Sequence, residues 1–254
     1  MLEARGLTKY YSAIPAARDV SFTLRPGEVL GLLGPNGSGK STTISMLVGL
    51  IEPSGGSVLF EGRDVSDDLG AYKARIGYVP EEAVLYSYLT GPEYLTLIGS
   101  LRELPPRTIR ARVDGFLSLF DLADDVHAPI SAYSKGMRQK ILISAALLHD
   151  PAVIVFDEPD SGLDVTTMLV LRSLVRALAA EGRLIVYTSH VLEIIEHVAT
   201  NVLILHESRV VGYDSVARLR SLPGVPSLEH VFRQLVVDSD TDQIARDLLA
   251  VMKQ

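Results

Sequence analysis

The sequence predicts an α/β protein: a core with a mostly parallel sheet, a small N-terminal antiparallel β subdomain and an inserted α-helical subdomain. Three observations predict it. A glycine-rich stretch, Gly34-Pro35-Asn36-Gly37-Ser38-Gly39-Lys40-Ser41-Thr42, follows the apolar run Val29-Leu30-Gly31-Leu32-Leu33, in the order strand, loop, helix. Two more apolar runs, Val153-Ile154-Val155-Phe156 and Leu184-Ile185-Val186-Tyr187, end at Asp157-Glu158 and at Ser189-His190, as buried strands do beside the ligand of an open α/β sheet. Between residues 81 and 150 the pattern turns helical.

Taken in order, the first 65 residues read as short strands and turns: Tyr10-Tyr11, Val20-Ser21-Phe22-Thr23-Leu24, a turn at Pro26-Gly27, then the glycine-rich loop and its helix to about Leu50. Pro53-Ser54-Gly55-Gly56 turns into the strand Ser57-Val58-Leu59-Phe60, and Glu61-Gly62 suggests a hairpin end. Ile76-Gly77-Tyr78-Val79 is a short buried strand closed by Pro80. Residues 92–104, 106–122 and 134–148 read as helices, with proline near two of the starts. After the run at 153–156, a helix spans 165–180, the run at 184–187 follows, then a helix over 190–197 and a strand at Val202-Leu203-Ile204-Leu205. Helical stretches at 215–221, 227–236 and 242–253 form a tail beyond Gly212.

With 254 residues, 47% hydrophobic and 22% charged, the chain is long and apolar enough for one large domain with a sizeable core. A mean hydropathy of +0.24 fits a covered parallel sheet and equally a surface that docks on a membrane protein. The net charge of −7, with no basic run to track phosphates along a duplex, makes nucleic acid an unexpected partner. Zero cysteines exclude disulfides and thiolate metal sites and fit a reducing compartment. The start, Met1-Leu2-Glu3-Ala4-Arg5-Gly6, lacks the apolar core of a signal peptide, and no uncharged apolar stretch reaches the ~18 residues of a spanning helix, so a cytoplasmic chain is expected.

The glycine-rich stretch reads G-x-x-x-x-G-K-[ST], with Gly34, Gly39, Lys40 and Ser41 at the defining positions. Its glycines let backbone N–H groups turn inward around a phosphate chain, and the helix from Lys40 aims its positive end at the same place. Lys40 adds a full charge, worth about 4 kcal/mol against a unit charge at ~4 Å in a partly desolvated site, and the Ser41 hydroxyl suits Mg²⁺. Asp157-Glu158 suits the other half of a nucleotide site: a Mg²⁺-linked carboxylate, then one that orients and deprotonates water.

The phosphate loop, Ser134-Lys135-Gly136-Met137, Asp157-Glu158-Pro159, Ser161-Gly162-Leu163-Asp164 and Ser189-His190 occur in the order and approximate spacing of an ABC transporter ATPase subunit, which the chain resembles over about residues 2–215. That resemblance implies a P-loop NTPase core over 1–212 with the helical insert at about 81–150, a C-terminal helical tail at 213–254, and ATP and Mg²⁺ as cofactors. It implies phosphate contacts from Gly34, Pro35, Asn36, Gly37, Ser38, Gly39, Lys40, Ser41 and Thr42. Tyr11 would stack on adenine, with Tyr10 an equally available ring. Ser134 and Gly136 match the second and fourth positions of the family signature LSGGQ, here Tyr133-Ser134-Lys135-Gly136-Met137, and would clamp the nucleotide of an opposing subunit. Lys135 would reach the partner's γ-phosphate or simply be solvated. Glu158 would be the general base, Lys40 and His190 would meet the γ-phosphate, Asp164 would bridge to the opposing subunit, and Ser41, Asp157 and Glu81 would serve the metal. His149 and His197 read as structural or solvated. Asp160 stands where the family usually has a small residue, without an account from the sequence.

Tyr78-Val79-Pro80-Glu81-Glu82 departs from the family, which normally has Gln at Glu81; the added charge should raise the pKa of Glu158 or tighten Mg²⁺ binding, unless the pair is only a solvated loop. This variant, the Tyr-Ser-Lys-Gly-Met signature and Ser227-Leu228-Glu229-His230-Val231-Phe232 look like the multidrug and antibiotic export type. The implied function is ATP binding and hydrolysis that powers a membrane exporter from the cytoplasmic face of the cell membrane. Its partners would be a separately encoded polytopic permease and, in a nucleotide-sandwich dimer, a second identical or related chain. Residues 83–95, with Tyr86, Tyr88 and Tyr94, would form the permease groove or pack within the insert. The alternatives are an ATP-dependent switch on a soluble macromolecular partner and an inactive regulatory module.

Overall fold

Apolar residues on both faces of the strands make the main sheet the centre of the molecule. A computed structural model describes residues 1–221 and 227–236. β1 (Leu2–Tyr11) and β2 (Ile14–Leu24) open the chain, followed by β3 (Val29–Leu33), α1 (Lys40–Leu47), β4 (Gly55–Phe60), β5 (Arg63–Asp64), α2 (Leu69–Ala74) and β6 (Ile76–Val79). The insert contributes α3 (Gly91–Leu101), α4 (Pro106–Leu119) and α5 (Lys135–Leu147). The chain then returns to the sheet with β7 (Val153–Phe156), α6 (Val165–Ala180), β8 (Leu184–Thr188), α7 (Leu192–Val198), β9 (Asn201–His206) and β10 (Arg209–Ser215), and ends in α8 (Val216–Arg220) and α9 (Leu228–Val236).

Two sheets result. The antiparallel one has the order β2-β1-β4-β5, and the six-stranded one has the order β10-β9-β3-β8-β7-β6, parallel except for β10. Alternation divides each central strand between two cores. Val29, Leu33, Ile154, Phe156, Ile185, Tyr187, Val202 and Ile204 face the core shared with the insert and α6, α7 and α9. Leu30, Leu32, Val153, Val155, Leu184, Val186, Leu203 and Leu205 face the core shared with α1 and the antiparallel sheet. Because β3, β8, β7 and β6 run parallel and adjacent, their carboxyl ends bring the phosphate loop, Ser189-His190, Asp157-Glu158 and Pro80-Glu81 to one edge.

The insert's helices begin where local chemistry starts them. Thr90 caps α3 in a capping box with Glu93 and Pro92 sits in its first turn; α4 begins at Pro106; the Ser134 side chain caps α5 by accepting from the Met137 N–H. Of the aromatic trio at 86–94, Tyr94 is buried, whereas Tyr86 and Tyr88 are exposed with ring centroids 6.0 Å apart. The boundary drawn at 212 falls inside β10, which carries the sheet to Ser215. The helices read at 215–221 and 227–236 correspond to α8 and α9, with Leu228, Val231 and Val236 in the core; the one read at 242–253 lies outside the described residues. Among the described residues no helix is long and apolar enough to cross a membrane.

Candidate active site

A cleft of about 450 Å³ opens at the carboxyl edge of the main sheet, lined by Asn36, Gly37, Gly39, Lys40, Ser41, Thr42, Glu81, Asp157, Glu158, His190 and Ala16. Four strand ends supply it, so its side chains are positioned by buried β-structure rather than by free loops. Gly39 precedes α1 with φ +101°, and a Cβ there would collide with the Ala16 carbonyl, so both backbone angle and space require glycine. No side chain caps α1 and its first turn holds no acidic residue, which leaves the helix's N-terminal N–H groups to whatever anion enters. The Lys40 ammonium donates to the carbonyls of Gly34 and Pro35, at 2.7 and 3.2 Å, and thereby rests over the loop. Burial lowers its pKa, opposed by the charges of Glu158, Asp157 and Glu81.

On the acidic side, Thr188 ties the two carboxylate residues together. Its hydroxyl donates to Asp157 Oδ1 and accepts from the Glu158 N–H, both at 2.8 Å. The His190 N–H donates to Glu158 Oε2 at 3.0 Å, and His190 Nε2 lies 3.5 Å from Glu158 Oε1. Oε1 makes no hydrogen bond within the described residues. Glu158 has φ +50°, a left-handed angle that a non-glycine residue keeps only where its surroundings hold it. Burial pushes the Glu158 carboxyl up, with His190 opposing and Asp157 adding to the rise. Asp157 is likewise raised by burial, against the Thr188 hydrogen bond, and raised further by Glu81. The charge of Glu81 acts on Asp157, Lys40 and Tyr78.

Oxygen donors and excess negative charge in a partly dry cleft are what a hard divalent cation requires, and Ser41, Asp157 and Glu81 all line it. Among the described residues no group of three or more His, Cys, Asp or Glu side chains forms a metal cage.

Gly34, Pro35 and Ser38 shape the loop without lining the cleft, and Ser38 is buried. Five other residues singled out from the sequence stand apart from it. Tyr11 is half exposed at the end of β1, with the Lys9 ammonium 5.8 Å from its ring centroid. Ser134 caps α5 on an exposed turn. Gly136 packs so closely that a Cβ would lie 2.7 Å from the Gly162 carbonyl oxygen, and Lys135 Nζ donates to Ser161 Oγ at 2.6 Å. Asp164 caps α6, its two carboxylate oxygens accepting from the Thr167 N–H and hydroxyl. Sequence reading missed Ala16, which no motif marks, and Thr188, whose only signal is a hydroxyl at a strand end just before Ser189-His190.

The family model described as ABC transporter matches residues 17–161. The chain is similar to the ABC transporter ATP-binding protein NatA of Bacillus subtilis (strain 168), at 35% identity over 225 residues, which is 88% of this chain and 92% of that one. It is also similar to the linearmycin resistance ATP-binding protein LnrL of the same strain, at 34% identity over 88% of this chain and 72% of the relative. A solved structure of an ATP binding subunit of an ABC transporter superposes with a TM-score of 0.86 at 32% identity, covering 92% of this chain and 99% of the other.

Proposed function

The chain belongs to the ABC transporter family as an ATP-binding, ATP-hydrolysing subunit, and we propose that it drives an exporter, with Glu158 as the general base. The observation that carries the reading is the arrangement of that carboxylate: one oxygen accepts from the His190 N–H, the other makes no hydrogen bond among the described residues and lies 3.5 Å from His190 Nε2, and the side chain lines the phosphate-loop cleft. Its raised pKa makes it a better proton acceptor once ionised. In the reaction, a water oxygen bonds to the γ-phosphorus and the bond to the β–γ bridging oxygen breaks. The electron pair leaves with ADP, and the water's proton passes to Glu158 Oε1. His190 orients the water and the γ-phosphate; Lys40 and the N-terminal N–H groups of α1 hold the phosphates. Ser41, Asp157 and Glu81 would hold Mg²⁺, which would supply charge neutralisation for the phosphates.

Two chains would close head to tail, each presenting Ser134 and Gly136 to the nucleotide of the other, with Asp164 between them. A separately encoded permease would sit over residues 83–95 and place the assembly at the cytoplasmic face of the membrane. The exposed Tyr86 and Tyr88 favour that use of the segment. Export is supported by the resistance role in the name of one relative. The transporter reading takes precedence over a switch acting on a soluble partner because the relatives are ATP-binding proteins of ABC transporters.

Solution mass of the Glu158→Gln protein with and without Mg-ATP, beside phosphate release by the wild type, tests the proposal. Turnover by the wild type and an ATP-dependent doubling of mass in the variant are expected. Wild-type turnover in Glu158→Gln would remove Glu158 from its role; a fixed monomer mass despite tight ATP binding would overturn the self-paired sandwich.

A further inference from the structure

Three acidic side chains of residues 157–160 receive hydrogen bonds from three residues of 187–190. Thr188 donates to Asp157 and the His190 N–H to Glu158, and both contacts belong to the cleft already described. The third does not: Tyr187 Oη donates to Asp160 Oδ1 at 2.7 Å. Tyr187 is fully buried on β8, and its ring lies 5.7 Å from that of Phe156, the residue before Asp157. Its hydroxyl is therefore held in place by the core, and a buried hydroxyl requires such an acceptor.

Asp160 closes a turn on this fixed point. The Ser161 N–H donates to the Glu158 carbonyl at 3.2 Å and the Leu163 N–H to the Asp160 carbonyl at 3.1 Å. Within that turn lies the left-handed backbone of Glu158, which persists only if its neighbours over-determine it. The Asp160 carboxyl is itself partly desolvated, so it gains from a donor that water cannot replace.

We propose that Asp160 is a positioning residue for the hydrolysis: bonded to Tyr187, it locks the turn that carries Glu158 in register with the segment that carries His190. This rests on the reading of Glu158 as the general base. Without the lock, the Glu158 backbone relaxes and its carboxylate leaves the water's proton, while the phosphate loop keeps its grip on ATP. The bond joins side chains 27 residues apart.

Full-length Asp160→Ala, Tyr187→Phe, their double variant and Asp160→Asn test it through steady-state phosphate release, ATP titration and thermal unfolding. Asp160→Ala and Tyr187→Phe are each expected to lower kcat about tenfold with KM for ATP within about twofold, since a displaced base costs rate and not binding. The double variant should be no worse than the worse single one. Asp160→Asn should recover most of the turnover, because its amide oxygen still accepts the Tyr187 proton. Unchanged kcat in Tyr187→Phe, additive losses in the double variant, or kcat and KM failing together in step with lost folding would each overturn the proposal. Tyr187→Phe keeps the buried ring and answers the question even where Asp160→Ala does not fold. With wild type and Glu158→Gln assayed alongside, a fully active Glu158→Gln rejects the general base itself. An inactive Glu158→Gln beside a fully active Tyr187→Phe rejects only the lock.

Discussion

Two helix N-termini in this chain begin in opposite ways. At α1 the cap is a glycine with no side chain to offer, the first turn carries no acid, and four strand ends bring Lys40, Glu81, Asp157, Glu158 and His190 around it. At α5 the Ser134 hydroxyl already accepts from its own helix, Lys135 is bonded to Ser161, and the turn is exposed. The first gathers its charged groups from one chain; in the proposed dimer the second would face the nucleotide of another chain. Substitutions in the cleft should therefore change what a single chain does with nucleotide, and substitutions at the α5 turn only what a pair does.

The sharpest test of the cleft is Glu158→Gln, expected to lower kcat by about 10²–10⁴-fold with ATP binding intact, as read by phosphate release against equilibrium titration. In the wild type, turnover should fall on acidification, with its acid limb above the ordinary glutamate value of 4.5, because burial raises the Glu158 carboxyl. Lys40→Ala is expected to weaken ATP binding by the order of 10²–10³-fold, measured by the same titration. Comparable affinity in that variant would remove Lys40 from the grip on the phosphates.

Gly136→Ala probes the other region. Its new methyl would press on the Gly162 carbonyl and shift the turn, so turnover should drop about tenfold while ATP binding to the separate chain stays within about twofold. Loss of binding there would mean the two regions are not separable. Glu81→Gln should raise the Mg²⁺ concentration for half-maximal turnover about threefold, and identical Mg²⁺ titrations would take Glu81 out of the metal's surroundings.

The smallest effect is on stability. The folded Glu158 carboxyl holds its proton to a higher pH than the unfolded one, so its ionisation costs stability as pH rises from about 4.5 through the folded value, and in full above it. Glu158→Gln should thus melt higher than the wild type at neutral pH, by an advantage that vanishes below about pH 4.5, read by thermal unfolding at the two pH values.

Legibility in the sequence followed locality. The runs at 153–156 and 165–180 correspond to β7 and α6 because an uninterrupted apolar strand and a long amphipathic helix carry their own signal. β10 was missed, since Arg209-Val210-Val211-Gly212-Tyr213 mixes a charge and a glycine into the alternation. Its connection to β9 also uses Glu207 and Ser208 at positive φ rather than the usual Asn-Gly. α2 is six residues long, started by the Asp68 cap and too short for periodicity to show. In the site, contiguous motifs announced Lys40, Asp157 and Glu158. The Tyr187–Asp160 bond could not be seen because nothing in either neighbourhood points to the other.

The order of strands in the main sheet also has a consequence in time. β3, which presents the phosphate loop, is flanked by β8 and β9, so its pairing partners are made more than 150 residues later. At about 5–20 residues per second, the nascent chain carries five buried-type residues of β3 without a neighbour for roughly 10–30 s. A ribosome stalled before residue 184 holds every atom of the glycine-rich loop but neither of the two strands that flank β3 in the finished sheet. The phosphate loop can therefore take its place in the main sheet only after β8 and β9 have been made.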